Sequence, residues 1–439
     1  MAIGRLKCQC FVRNTFEPVD SAVITITRRS VEGQVIDTKD VQLTTDSSGL
    51  SQVIEIETPP REYSETPSDR VPYSLCDLRV QRQGFEDIII NGCQVYPDRT
   101  AYQICRFRNS TSTRQSELIN ILPNTLVGNY PSKIPEDPNK ILPPPTSGVV
   151  LQKPVVPEFI VVHDGTPNNT SGNNYTVDFK EYVKNVASSE IFPTWPDNTI
   201  RANVFCIVSF ALNRVYTEWY RAKGKPFQIT NSTAYDQAFN YGRNIFDNIS
   251  AIVDEIFSTY IRRPGKKQPL FTQYCDGKNV SCPGWLTQWG SKYLGDQGKT
   301  PFEILKSFYG NDIELVTAEK VEGIPSSYPG YILTIGSSGV PVRQLQEYLN
   351  TISNNYPLIP KVAVDGVYNK QTAESVDIFQ SIFSLPRTGD VDYATWYQIS
   401  AIYVGVSKIA ELRSEPVEEE EHYRYDKYLG IELPSYFYE

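Results

Sequence analysis

Across residues 1–107 apolar and polar positions alternate in short runs with a period of two, the pattern of strands buried on one face. Ala22-Val23-Ile24-Thr25-Ile26-Thr27, Val53-Ile54-Glu55-Ile56 and Leu78-Arg79-Val80 carry it in β-branched residues, and Asp46-Ser47-Ser48-Gly49 supplies a turn between two of them. Gln83-Gly84-Phe85 opens a further strand through Ile88-Ile89-Ile90, and Ala101 to Phe107 closes the set. Short strands joined by polar turns predict a small β-sandwich. Cys8 and Cys10, one residue apart, would share one face of a strand. No catalytic constellation falls in this part, so its expected role is binding, folding or inhibition.

Further along, the period lengthens. Phe179, Tyr182, Val183 and Val186 fall at i, i+3, i+4 and i+7 and predict an amphipathic helix over Asp178 to Ser189. Trp195-Pro196-Asp197-Asn198-Thr199 breaks the chain and offers an N-cap to a second helix, Ile200 to Tyr220, whose faces are mostly apolar and which should form the buried centre. A third helix is expected from Asp247 to Tyr260. Short helices follow from Leu333 to Ile402, with one apolar stripe through Val342, Leu345, Leu349 and Ile352 and another through Val376, Phe379, Ile382 and Phe383.

Between the two periodic regions, proline recurs at 123, 131, 135, 138, 143, 144, 145, 154 and 157. Each proline removes a backbone donor and fixes φ, so this stretch predicts an extended linker, most open to proteases at Pro143 to Gly148. The expected fold class is therefore multidomain α+β. It comprises a β-sandwich-like module (1–107), a Pro-rich segment (108–149), a mainly helical catalytic domain with a few strands (150–328), a small three-helix domain (329–413) and an acidic, aromatic tail (414–439).

Composition narrows the function. The chain has 439 residues, about three domains' worth, and 40% of them are hydrophobic, enough for packed cores. Its net charge of −9 argues against nucleic-acid binding, which needs a basic stripe. Only His163 and His422 are present, far apart, which disfavours a His-based zinc hydrolase. No run approaches the ~20 apolar residues of a membrane span. The first residues, MAIGRLKCQCF, lack the apolar run of a secretory leader, so synthesis without a Sec signal is expected. Eight cysteines are too sparse for a disulfide scaffold, although Cys275 and Cys282 could pair locally. No cofactor and no metal are expected.

The most informative acid is Glu190. Eleven positions after Phe179, it returns to within about 20° of the same helix face and so continues an apolar stripe at the helix end. Desolvation and the negative end of the helix dipole would both hold its proton, as a general acid requires. The plain alternative is a glutamate at a frayed end facing water. Glu218, Asp254 and Glu255 lie on or beside helices without any such distinguishing neighbour. A second cluster, Phe271 to Gly277 and Cys282 to Ser291, combines Trp, Tyr, Gln, Asp and Gly in loop-like sequence, the ingredients either of a sugar cleft or of a buried aromatic corner.

At these residues the chain resembles known families. Val186-Ala187-Ser188-Ser189-Glu190 with Val208-Ser209-Phe210-Ala211, and Thr287-Gln288-Trp289-Gly290-Ser291 with Gly298, Ile304-Leu305 and Phe308-Tyr309-Gly310, resemble the stage II sporulation protein D family. The family's Ala-Arg helix ending departs here to Phe210-Ala211-Leu212-Asn213-Arg214. Leu333 to Gly339, Val342-Arg343-Gln344-Leu345-Gln346, Val364-Asp365-Gly366-Val367-Tyr368, Thr372, Phe379-Gln380, Thr388 to Asp392 and Thr395-Trp396 resemble a type 1 peptidoglycan-binding domain.

The order of parts is similar to clostridial spore cortex-lytic enzymes of the SleC type. That resemblance implies a lytic transglycosylase made as a proenzyme, acting on spore cortex peptidoglycan during germination and activated by a subtilisin-like germination protease. It implies Glu190 as catalytic acid/base, substrate binding by Tyr274, Asp276, Gln288, Trp289 and Ser291, and cleavage near Val149 and Val150. Peptidoglycan contacts would fall to Asp365, Gly366, Thr372, Phe379, Gln380 and Trp396, and the protein would reside in the outer cortex and coat of the spore. The competing readings are an N-acetylmuramoyl-L-alanine amidase, which the shortage of histidine disfavours, and a non-catalytic wall-binding structural protein.

Overall fold

The structure is a computed structural model that describes residues 2–13, 15–29, 40–110, 116–134, 136, 154–280, 282 and 284–412. Its architecture is mixed α+β. Val149, Val150 and the tail beyond 412 lie outside the described residues.

Two sheets build the N-terminal part. Strands β1 (Ala2–Val12), β4 (Ile54–Thr58) and β7 (Thr100–Phe107) belong to one; β2 (Val23–Arg29), β3 (Val41–Thr44), β5 (Ser74–Gln81), β6 (Ile88–Val95) and β8 (Glu117–Asn120) form the other, in the order β3-β2-β5-β6-β8. The period-two reading is visible in the core: Leu6, Cys8 and Cys10 alternate inward on β1, Ile24 and Ile26 on β2, and Cys76, Leu78 and Val80 on β5. Six of the cysteines are buried free thiols. The expected strands over 22–27, 53–56, 78–80, 88–90 and 101–107 all fall on observed ones, Cys8 and Cys10 share the buried face of β1, and β3 is an addition.

Two features depart from the expected layout of separate parts. Residues 117–120 form a strand, parallel to β6 at the sheet edge. Prolines begin only at 123, so this stretch keeps its ladder donors. The four-stranded sheet, order β12-β7-β1-β4, also takes its edge strand β12 (Ile245–Phe246) from the middle of the chain. Tyr96 packs edge-on to Phe246 at 5.0 Å, so the first and middle regions share one core.

The middle region surrounds a buried helix. Strands β9 (Phe159–His163), β10 (Asn174–Asp178) and β11 (Ile229–Thr230) make a small sheet that feeds α1 (Phe179–Glu190). Asp178 caps α1 by accepting the Glu181 N–H at 3.0 Å, an arrangement that contributes about 1 kcal/mol. Helix α2 (Asp197–Tyr216) starts earlier than expected, with Pro196 at its cap and Asp197 to Thr199 inside the first turn. It is buried along most of its length, as its all-round apolar character requires.

Around it pack α3 (Asp247–Ile256), β13 (Thr259–Arg262), β14 (Tyr274–Cys275), β15 (Leu286–Thr287), α4 (Gln288–Asp296), α5 (Pro301–Tyr309) and β16 (Glu314–Thr317). Three further helices, α6 (Val340–Ile352), α7 (Lys370–Ile382) and α8 (Tyr393–Leu412), are the last elements among the described residues. Helix α8 docks on the middle region: Tyr397 stacks edge-on to Phe257 at 5.4 Å, and Lys180 donates to Gln398 at 2.6 Å.

Candidate active site

Helix α1 ends at Glu190, whose side chain is 2% exposed. One carboxylate oxygen accepts the Ala238 N–H at 2.7 Å, and the other accepts the Tyr274 hydroxyl. Tyr274 is itself held by Gln237, whose amide donates to the phenol oxygen at 3.0 Å and accepts from Tyr182 at 2.9 Å. Burial raises the Glu190 carboxyl above its ordinary range, against the Lys133 ammonium and the two hydrogen bonds, which lower it. The C-terminal end of α1 adds to the same upward push. Tyr274 is driven well up, chiefly by burial and then by Glu190, so it remains a donor. The result is a buried carboxyl in a fixed orientation that tends to keep its proton.

A small cleft of about 90 Å³ opens over this carboxyl, lined by Tyr130, Lys133, Tyr274, Asp276 and Gln288 among others. The substrate-binding set expected from sequence therefore divides. Tyr274, Asp276 and Gln288 line the cleft. Trp289 and Ser291 do not: Trp289 packs on Trp195 at 5.0 Å and Phe192 at 6.0 Å, and Ser291 is buried between Asn203 and the Gln288 carbonyl. Asp276 also braces its own loop by accepting from the N–H groups of Asn279 and Val280 at 2.9 and 3.0 Å. Cys275 and Cys282 are joined as a disulfide across that loop.

The expected linker supplies the remaining wall. Asn124 is fully buried and donates to the carbonyls of Ile191 and Ser188, while the Thr125 N–H meets Ser189 at 2.9 Å. These are the carbonyls left open at the end of α1, so the segment caps the helix that carries Glu190. It continues over the cleft. Lys133 donates to the Asp236 carbonyl at 2.6 Å and lies 5.0 Å from the Tyr274 ring centre. Burial pushes its ammonium down, against the pull of Glu190 and Asp236. Glu136 pairs with Arg214, a buried guanidinium whose Nε also meets Asp236 at 2.8 Å.

Sequence reasoning missed Lys133, Glu136, Asp236 and the cleft-lining role of Tyr130. The first two stand in irregular chain where no periodicity places them; charges set between prolines, Pro131-Ser132-Lys133-Ile134-Pro135-Glu136, are the one available signal. Glu218 is no part of this cleft lining, and Asp254 is spent on Lys180 and Lys184 at 3.1 and 3.0 Å. Among the described residues, no group of three or more His, Cys, Asp or Glu is placed to share a metal ion, and no helix is long and apolar enough to cross a membrane.

In the C-terminal helices, the motif residues are largely internal. Thr372, Phe379, Gln380 and Trp396 are buried, and the Trp396 indole donates to the Ser326 carbonyl at 3.1 Å. Asp365 is exposed and closes the turn at Gly366, where φ of 77° suits glycine. Residues 338–399 match the family described as a peptidoglycan binding domain. The chain carries a peptidoglycan-binding domain. That finding ties the protein to the cell wall, while the match leaves the rest of the chain unassigned. No curated protein matches the chain. Among solved structures, chlorocatechol 1,2-dioxygenase from Pseudomonas putida is similar at 14% identity over 27% of this chain, with a TM-score of 0.15. The chain spans 58% of that protein, and the likeness carries no argument about fold or function.

Proposed function

We propose that the chain is the precursor of a peptidoglycan lytic transglycosylase, with Glu190 as its single acid/base and residues 130–134 and 136 laid across the cleft until proteolysis frees it. The observation that carries this reading is a buried carboxyl with raised proton affinity, fixed by Ala238 and Tyr274 and topped by Lys133. The peptidoglycan-binding domain at 338–399 supplies the substrate class. The resemblance to spore cortex-lytic enzymes adds the setting, a germinating spore whose subtilisin-like protease cuts the Pro-rich segment.

One carboxyl suffices for this chemistry. Ordinary glycosidases need two, about 5–9.5 Å apart, because water must be activated or a glycosyl-enzyme formed. Here Glu190 would give its proton to the glycosidic oxygen as the bond from muramic C1 breaks. The C6 hydroxyl of the same sugar then bonds to C1, and its proton returns to Glu190. The products are a new hydroxyl end and a 1,6-anhydromuramic end, with no water consumed. Lys133 opposes the first step, since its charge favours the ionised carboxylate. Withdrawing it restores the proton affinity that burial creates.

The test is mass spectrometry of soluble fragments from cortex peptidoglycan treated with chain cut within 137–153, beside intact chain. Anhydromuramic ends from the cut form alone are expected. Reducing sugar ends or free stem peptides would overturn the transglycosylase reading.

A further inference from the structure

The guanidinium of Arg214 is bound differently at its two ends. Its Nε meets Asp236, whose other oxygen accepts from the Tyr220 hydroxyl at 2.7 Å, the Thr230 N–H at 2.9 Å and the Thr230 hydroxyl at 2.7 Å. All of these belong to the middle region. The outer nitrogens meet a carboxylate from the segment over the cleft: Nη1 donates to one Glu136 oxygen at 3.0 Å and Nη2 to the other at 2.5 Å, Nη2 also reaching the Tyr235 carbonyl at 3.3 Å. Aromatic rings wall the contact, with Phe271, Trp219 and Phe210 centred 4.5, 4.7 and 5.1 Å from the guanidinium carbon. Asp236 already balances the Arg214 charge, so Glu136 is a second carboxylate on a fork that does not need it for neutrality. A planar, pre-oriented fork between aromatic walls has the geometry to receive a carboxylate at two points.

With Glu136 in place the fork does not line the cleft, but the chain ties it closely to the proposed chemistry. Asp236 holds Arg214 and Ala238 holds Glu190, and the two are separated by a single residue, roughly 7 Å of chain at full extension. Glu136 follows Lys133 by three positions, so one short segment occupies both places.

We propose that Arg214 is a carboxylate subsite of the cleft, held by Glu136 in the intact chain and taken by a muramic-acid carboxylate of the substrate when residues 130–136 withdraw. This rests on the peptidoglycan-cleaving reading of the Glu190 cleft. Muramic acid carries its lactyl group at O3, on the ring whose C1 bond would break, and that group ends either in its own carboxylate or in that of an attached L-alanine. Glu136 is thus a built-in copy of the ligand.

Calorimetric titration of the full chain carrying Lys133→Ala and Glu136→Ala tests this without turnover. The probes are N-acetylglucosaminyl-N-acetylmuramic acid with a free lactyl acid, the same disaccharide ending in L-alanine, and the carboxamide of each. At least one acid should bind about tenfold or more tighter than its amide, as loss of a charge-assisted pair predicts, and the preferred acid identifies the source of the carboxylate. With Glu136 restored, that preference should collapse. Equal binding of acids and amides, or no binding of either acid to a double variant that melts like the parent, would overturn the subsite. Acid preference without anhydromuramic products would leave the subsite and remove the transglycosylase reading; products without preference would do the reverse. Adding Arg214→Lys to the double variant should erase the preference while glycan binding persists.

Discussion

The peptidoglycan-binding domain and the Glu190 cleft both bury polar side chains, but they complete them in different ways. In the former, the Gln346 amide donates to Asp365, the Val367 carbonyl and Thr372 at 3.0, 3.0 and 3.3 Å, and accepts from the Gly366 N–H at 2.8 Å. Gln380 repeats the device one helix later, donating to Thr388, Asp390 and Thr395 and accepting from the N–H groups of Thr388 and Gly389. Every partner lies within residues 338–399, and both groups are neutral. In the cleft the buried groups are charged, and some of their partners, Lys133 and Glu136, arrive from a segment outside the region they complete. Polar burial satisfied from within holds a fold together. In the cleft it is charge, brought by a separate segment, that completes the buried groups, and the proposed carboxylate subsite rests on that arrangement.

Four measurements would break or sharpen that contrast. The largest effect is expected for Glu190→Gln, assayed on cut chain: glycan cleavage should fall by roughly 10²–10⁴-fold, the usual worth of a general acid, with wall binding unchanged. Full activity in that variant would demote the cleft. Next is Gln380→Leu, which leaves the N–H groups of Thr388 and Gly389 without their acceptor and should cost about 2–4 kcal/mol in thermal or denaturant unfolding. A neutral result would mean that the amide is not structural.

Smaller effects concern protonation. Lys133→Met removes the charge that holds the Glu190 carboxyl down, so its titration midpoint, followed by carboxyl-carbon NMR, should move further up. A downward move would contradict the placement of Lys133. The least change is a pH dependence of stability. The folded chain keeps the Glu190 proton above the pH at which an unfolded glutamate, near pKa about 4.3, loses it. Stability from this group is therefore full in acid and declines as pH rises through the folded midpoint. Glu190→Gln should match the parent in acid and exceed it increasingly toward neutral pH in paired melts.

Legibility in the sequence followed regularity. Phe179, Tyr182, Val183 and Val186 announced α1, and counting along the same face delivered Glu190 to the buried end where it stands. Gln346 and Gln380 sit inside motifs that could be read directly. Trp289 illustrates the limit. An aromatic in a loop-like stretch suits a sugar platform or a core equally, and only packing against Trp195 and Phe192 separates the two. Lys133, Glu136 and Asp236 lie in chain with no period, and their roles depend on contacts across long sequence separations that local pattern does not encode. The same holds for β12, two residues whose pairing with β7 is decided by an exposed ladder far back in the sequence.

That small strand bears on what a protease could accomplish. Residues before the 137–153 stretch hold the middle region through β7 and β12, through Gln94 with Asn244 and Arg243, and through Asn124 on the end of α1. A cut there would turn one chain into two subunits of one fold, still bound to each other. Scission would license activation, and dissociation would complete it. If the proposed function holds, freshly nicked chain should by mass action gain activity on dilution, and an excess of the N-terminal fragment should take it away again.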